Sequence, residues 1–270
     1  MVTLGIVLFI LLLAFSFRYA WWRKPLPWSC PRILMYHMVS EHKRGARFNK
    51  LRVKPGEFEK QIHWLNKQGF QFVFASELAT KKKFANRTVC LTFDDGYADN
   101  LAAVDPVLES YGAKATLYLV EDRSGGWSSK KKAHHADNEL QREPKLSDDQ
   151  VRTMLASGRW ELGAHTTSHA NLSSLDDEQA FREIAGAKKN FENSFGIEPM
   201  TFAYPFGIYS SRDIDLVSKA GYLAAMTTEP GIQSPDKWNL LQLSRVKISG
   251  KDSLFSFKHR IRGGKRGFAK

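Results

Sequence analysis

Val89-Cys90-Leu91-Thr92-Phe93-Asp94-Asp95-Gly96 decides the fold. Val89 to Phe93 is a short apolar and β-branched run, too brief for a helix, and it reads as a strand buried on both faces. The chain then turns abruptly on two carboxylates and a glycine. Working outward, the same arrangement recurs. Ile33 to Tyr36 is a strand followed by His37, Trp160 to Ala164 one followed by His165, and Met200 to Ala203 one followed by Tyr204-Pro205-Phe206-Gly207. Further strands are expected over Gln71 to Phe74, Ala115 to Val120 and Tyr222 to Thr227. Helices lie between them: one from Pro55 with Phe58, Ile62 and Leu65 on one face, one over Leu101 to Tyr111, one opened by a Ser147–Gln150 capping box, one over Glu178 to Phe195 and one over Ile214 to Ala220. Strand–helix units repeated over roughly 220 residues imply an α/β fold, a parallel sheet or a (β/α) barrel. In a barrel all the strand ends named above converge on one face, where active sites form.

Taken singly, each of these polar groups has an ordinary explanation. Asp-Asp-Gly after a strand is commonly a capped turn. Two histidines four apart, His165 and His169, arise by chance in a chain with eight. Together, one carboxylate and two imidazoles make a three-ligand site with open positions for water, as catalytic zinc requires, and the second carboxylate is left over as a base. The same ligands describe the two-histidine, one-carboxylate site of non-haem iron oxygenases, which gives the adjacent second carboxylate no task. His134, His135 and Asp137 fall in a polar loop running from Asp122 to Lys145 and read as solvated.

The 270 residues, with 43% hydrophobic and 25% charged, are those of a globular protein and exclude collagen-like, coiled-coil and disordered classes. Cys30 and Cys90 cannot build a disulfide framework, though one bridge between them stays open. The formal charge of +12 is concentrated. Basic residues crowd Arg18 to Lys54 and again Lys251 to Lys270; no nucleic-acid motif accompanies them, so the expectation is a solvated basic surface or one drawn to anionic lipid, and no nucleic acid. Met1 to Phe17 carries no charge and runs into Tyr19, Trp21 and Trp22. It reads as a single membrane anchor, with a signal segment as the alternative. Positive charge after this run places the main domain in the cytoplasm.

The motifs Thr92-Phe93-Asp94-Asp95-Gly96, His165 to His169, and Phe202-Ala203-Tyr204-Pro205-Phe206-Gly207 resemble those of the polysaccharide deacetylases (NodB homology, carbohydrate esterase family 4), in order and spacing, over about Ile33 to Lys247. Within that family the chain is most similar to the poly-β-1,6-N-acetylglucosamine N-deacetylases. In these a catalytic histidine is circularly permuted to the front of the domain; Tyr36-His37 and Val53-Lys54-Pro55 fit that pattern. The resemblance implies a distorted (β/α) barrel of about seven strands behind an N-terminal transmembrane helix. It divides the chain into an anchor or signal segment (1–24), a linker (25–32), the deacetylase domain (33–250) and a basic tail (251–270).

By the same resemblance Asp95, His165 and His169 hold a divalent metal, with zinc expected and iron, cobalt or nickel as the others such a set takes. Asp94 is the base, His37 the acid, and Phe206 and Tyr204 serve the oxyanion and substrate. The family's third-motif arginine is missing, since Ala203 precedes Tyr204, and Arg245 in Leu243-Ser244-Arg245-Val246 is expected to orient the base instead. The implied activity is metal-dependent removal of acetyl groups from an N-acetylated glycan, poly-β-1,6-N-acetylglucosamine first and a lipid-linked N-acetylhexosamine precursor second. An iron oxygenase and an inactive glycan-binding relative are the rivals from other classes. The resemblance points to an extracytoplasmic catalytic domain, opposite to what the charge distribution implies.

Overall fold

The computed structural model describes residues 2–19, 21–22, 24–124 and 139–264. In chain order its strands are β1 (Arg32–Tyr36), β2 (Met38–Val39), β3 (Arg52–Val53), β4 (Gln71–Val73), β5 (Thr88–Asp94), β6 (Ala115–Leu119), β7 (Trp160–Ala164), β8 (Thr201–Ala203), β9 (Ala224–Pro230) and β10 (Leu243–Lys247). The helices are α1 (Val2–Tyr19), α2 (Pro55–Lys67), α3 (Ala75–Thr80), α4 (Asp105–Ser110), α5 (Asp148–Ala156), α6 (Asp177–Phe195), α7 (Ser211–Lys219) and α8 (Leu254–Gly263).

β5 to β10 pair in sequence order, β10 pairs β1, and β1 pairs β5, so seven parallel strands close on themselves. β4 attaches outside this ring, along the first residues of β5. The expected barrel is therefore formed. β5 is buried at all seven positions and β1 and β6 at all five, which is why they read as unbroken apolar runs rather than alternations. The helices cover the outside with one apolar stripe each: α2 buries Phe58, Ile62 and Leu65, and α6 buries Ile184, Ala187 and Phe191. Each of the larger side chains, Phe, Ile or Leu, contributes about 1.5–3 kcal/mol by leaving water. Capping boxes open α5 at Ser147–Gln150 and α6 at Asp176–Gln179, and Gly196, at φ 66°, ends α6.

Four expectations are corrected. Among the described residues no helix is long and apolar enough to cross a membrane, so the transmembrane anchor is not supported. The physical reason is length. α1 stops at Tyr19, so Trp21 and Trp22 lie in a turn instead of extending it. Eighteen residues rise about 27 Å, short of the ~30 Å hydrocarbon core. Second, Leu254–Gly263, within the segment 251–270 read as a basic tail, forms α8, whose Phe257 and Ile261 are buried and whose Phe255 packs on Tyr19 at 5.0 Å.

Third, three arginines of the basic blocks are internal, so the basic surface is smaller than the residue count implies, and nothing among the described residues supports a lipid contact. Arg32 donates to the carbonyls of Leu26, Pro27 and Ile261, Arg52 pairs with Glu139 and Glu143, and Arg260 with Asp252. Fourth, the linker 25–32 is built into the domain by those same bonds. Cys30 and Cys90 are both free and buried. His134, His135 and Asp137 lie outside the described residues.

Candidate metal and catalytic site

The expected residues do meet at the C-terminal rim of the barrel. Of the five described non-glycine residues with positive φ, four belong to its loops: Asp95 (78°), Thr166 (66°), His169 (56°) and Phe206 (60°). A left-handed backbone in a side-chain-bearing residue costs of order 1–3 kcal/mol. Here the surrounding barrel holds it, and the result is a set of side chains aimed at one point. Gly207 shows how tight the packing is, since a Cβ there would sit 1.9 Å from Thr228 Oγ1.

Asp95 follows β5, its amide donating to the Tyr118 carbonyl at 3.0 Å. Its Oδ1 lies 3.4 Å from Nε2 of His165 and 3.4 Å from Nε2 of His169. One donor atom from each of the three residues falls within 4.8 Å of the others, and all three residues are buried. Nδ1 of His165 lies 2.7 Å from the Ala203 carbonyl, which can only accept, so Nδ1 carries the proton and Nε2 presents its lone pair to the site. Two imidazoles and a carboxylate converging this way fit a divalent cation of the zinc type. His169 is braced from the other side by Phe206, whose ring stands edge-on at 4.4 Å.

Asp94 is held differently. Arg245 donates to both its oxygens, Nη1 to Oδ1 and Nη2 to Oδ2, each at 2.7 Å. The guanidinium is wholly buried inside the barrel and also donates to the Thr227 carbonyl at 2.8 Å and to Thr92 Oγ1 at 3.0 Å. Burial alone would raise Asp94. The charge and hydrogen bonds of Arg245 outweigh it and hold the carboxyl below the usual range, so it is ionised. The sequence assigned Arg245 to this task, but after a strand; it sits inside β10.

His37 follows β1 directly and stands within the fields of Asp95, Asp94, Arg245 and His165. Burial lowers its pKa more than the two carboxylates raise it, so the resting imidazole is neutral. Its carbonyl accepts from Asn100 Nδ2 at 3.0 Å, which fixes the loop. Tyr204 is corrected as a substrate-facing side chain. It is fully buried, its phenol donates to the Leu241 carbonyl at 3.1 Å, and its ring stacks on Tyr209 at 4.5 Å. Beside the His165–His169 loop opens a cleft of about 580 Å³, bordered by Glu121, Arg123, Asp148 and Thr167 among others.

The sequence reading missed the parts that act through backbone or through a neighbour. Asn100 opens a π turn (Asn100–Val104) where plain helix was expected, and π turns gather at functional sites. The β2–β3 pair was not anticipated either; two-residue strands leave no periodicity to read.

Residues 81–225 match the sequence pattern of the family described as polysaccharide deacetylase. YxkH of Bacillus subtilis (strain 168) is 34% identical over 234 residues, 85% of this chain and 75% of that one. The poly-beta-1,6-N-acetyl-D-glucosamine N-deacetylase of Staphylococcus aureus (strain MRSA252) is 24% identical over 221 residues, 78% of this chain and 71% of that protein. Among solved structures, the Streptococcus pyogenes deacetylase PplD in complex with acetate superposes with a TM-score of 0.71 at 23% identity, covering 88% of this chain and 99% of that one. That likeness speaks for the fold, and the extent of the sequence matches speaks for descent. The family pattern over residues 81–225 and a relative 34% identical across 85% of the chain agree with the closed parallel barrel and the Asp-His-His cluster at its rim, and the chain belongs to the polysaccharide deacetylase family.

Proposed function

We propose that this protein is a metal-dependent N-deacetylase of poly-β-1,6-N-acetylglucosamine, releasing acetate and leaving free amino groups on the polymer. The observation that carries the reading is the division of labour at the rim. Asp95 converges with two imidazoles, while its neighbour Asp94 is tied to Arg245 and kept ionised beside them. His37, brought in by the first barrel strand, and the similarity to the S. aureus enzyme support the choice of substrate. The lipid-linked alternative drew on the basic blocks, several of whose arginines are consumed inside the fold.

Asp95, His165 and His169 would hold the ion, zinc by the chemistry of the donors. Bound there it supplies Lewis acidity, which polarises an acetamide carbonyl and brings the pKa of water toward ~7. The remaining chemistry belongs to the chain. Asp94 accepts a proton from the attacking water, and Arg245 keeps its oxygens fixed while it does so. The backbone N–H of Phe206, turned by its positive φ, donates to the oxyanion as the carbonyl becomes tetrahedral. His37 delivers a proton to the departing nitrogen, because an amide anion is too basic to leave. One water is consumed per acetyl group, giving acetate and an amine.

Acetate release from poly-β-1,6-N-acetylglucosamine, measured with and without a strong chelator, tests this reading. Release that the chelator stops is expected. Release that survives complete metal removal overturns the metal assignment, and release confined to a lipid-pyrophosphate-linked N-acetylhexosamine overturns the polymer. His37→Ala should lower the rate by about 10²–10³-fold, within the range of a positioned proton donor, at unchanged metal content. A variant as fast as the parent would remove His37 from the mechanism.

A further inference from the structure

Glu183 stands in the second turn of α6, beside Ile184 of the buried stripe, and has no part in the scheme above. A glutamate on a helix ordinarily faces water or pairs with a cation one turn away. The positions three and four away are Gln179, Ala180, Gly186 and Ala187, so the helix itself offers the carboxylate no cation. It is spent instead on the loop between the two histidines. Oε2 accepts from the Ser168 amide at 2.9 Å and Oε1 from the Ser168 hydroxyl at 2.7 Å. The main-chain carbonyl of Glu183 also accepts from the Thr167 amide at 3.1 Å and from the Thr167 hydroxyl at 3.4 Å. One helical residue thus grips two consecutive loop residues, and hydrogen bonds to a carboxylate are about twice as strong as those between neutral groups.

The two histidines differ in how their backbone is supported. His165 comes straight off β7, its amide donating to the Leu119 carbonyl at 2.9 Å and its Nδ1 held by the Ala203 carbonyl. His169 lies beyond the strand, at φ 56° and after Thr166 at 66°, so its place depends on the course of the loop. Such backbone persists only where the surroundings over-determine it. On one flank the amides of Glu121 and Asp122 donate to the carbonyls of Thr166 and Thr167, at 3.2 and 2.7 Å. Those bonds reach as far as Thr167. Ser168, from which His169 hangs, is gripped on the other flank by Glu183.

We propose that Glu183 is a positioning residue of the metal site: its carboxylate clamps Ser168 through both amide and hydroxyl, and so sets the backbone from which His169 reaches the ion. Groups that orient metal ligands are worth about 10–100-fold in metal affinity. The inference rests on Asp95, His165 and His169 holding a divalent cation, and its test needs no glycan.

The full chain is stripped of metal and titrated with zinc against a chromophoric chelator, well below the melting temperature of every protein compared. The set is the parent, Glu183→Leu, Glu183→Gln, Ser168→Ala, the Ser168→Ala/Glu183→Leu double variant and His169→Ala. Glu183→Leu should bind zinc roughly 10-fold more weakly, the lower end of the range for a group that orients a ligand. Glu183→Gln should restore affinity to within about threefold of the parent, because its carbonyl oxygen accepts from the Ser168 amide and its NH₂ donates to the hydroxyl oxygen. A residue that only stabilised α6 would leave the zinc affinity of the folded protein where it was. Ser168→Ala should lose roughly 2–10-fold, the worth of one hydrogen bond, and should add little in the Glu183→Leu background, since both changes break one clamp. Affinity for Glu183→Leu within about twofold of the parent overturns the assignment, provided His169→Ala has lost binding. A Glu183→Gln protein as weak as Glu183→Leu overturns it too, by making charge rather than the clamp the cause. If His169→Ala binds as the parent does, the metal site itself is wrong and the role of Glu183 falls with it. Should Glu183→Leu not fold, Ser168→Ala decides alone, and unchanged affinity there overturns the assignment.

Discussion

Replacing Asp94 with asparagine should reduce acetate release by roughly 10²–10⁴-fold, the range a positioned general base contributes, while the bound metal stays. The amide has nearly the shape of the carboxylate but no basic oxygen able to take the proton of a water molecule. It also mismatches its partner: both Arg245 nitrogens that point at Asp94 are donors, and one would now meet an NH₂. Asp94 is not among the residues that converge as candidate ligands, so metal content measured on the purified variant should equal that of the parent. Asp95→Asn and His165→Ala should instead lose metal and rate together. If Asp94→Asn kept most of its activity, the base would have to be another group and the division between the two aspartates would be wrong.

Arg245→Met should be the most destabilising single change at the rim. Side-chain exposure is 0% for Arg245 and 3% for Asp94, so the variant leaves a carboxylate buried with no counter-charge. Breaking a buried pair from one side costs about 3–5 kcal/mol, which urea denaturation at pH 7 would read directly. The pH dependence has a definite sign. In the parent the folded pKa of Asp94 is depressed, so the pair's contribution is full above the unfolded value of about 3.9 and is lost as pH falls through the lower folded value. In the variant the main counterweight to burial is gone, which raises the pKa. Its deficit should therefore be largest near neutrality and shrink on acidification as Asp94 takes up a proton. The acid limb of its pH–rate profile should move upward. Asp94→Asn combined with Arg245→Met should recover part of the lost stability, since neither residue then strands a charge. A single variant as stable as the parent at pH 7 would mean that Asp94 is neutral in the native protein.

The rim was legible because its residues lie just past short apolar runs, and in a parallel barrel that position in sequence is a position in space. Asp94, Asp95, His165, His169 and His37 could all be placed in this way, and each sits where its strand end puts it. Arg245 was harder. A buried arginine inside a strand is written in the same letters as a solvated one, and only the missing arginine before Tyr204 pointed to it. α8 was hidden by its charge. Leu254, Phe257 and Ile261 recur at helical spacing, yet Lys258, Arg260 and Arg262 beside them read as tail. The buried Arg32, Arg52 and Arg260 show why a count of basic residues overstates a basic surface.

The Asp94–Arg245 bond joins residues 151 positions apart, and the strand carrying Arg245 is the one that completes the ring against β1. Closure of the ring and pairing of Asp94 are thus a single event. During synthesis the chain must emerge as far as β10 before Asp94 acquires its partner. A chain lacking β10 has an open sheet and an Asp94 without the guanidinium that fixes its two oxygens. The orientation of Asp94 is therefore a property of the closed ring, and no segment that stops short of β10 carries it.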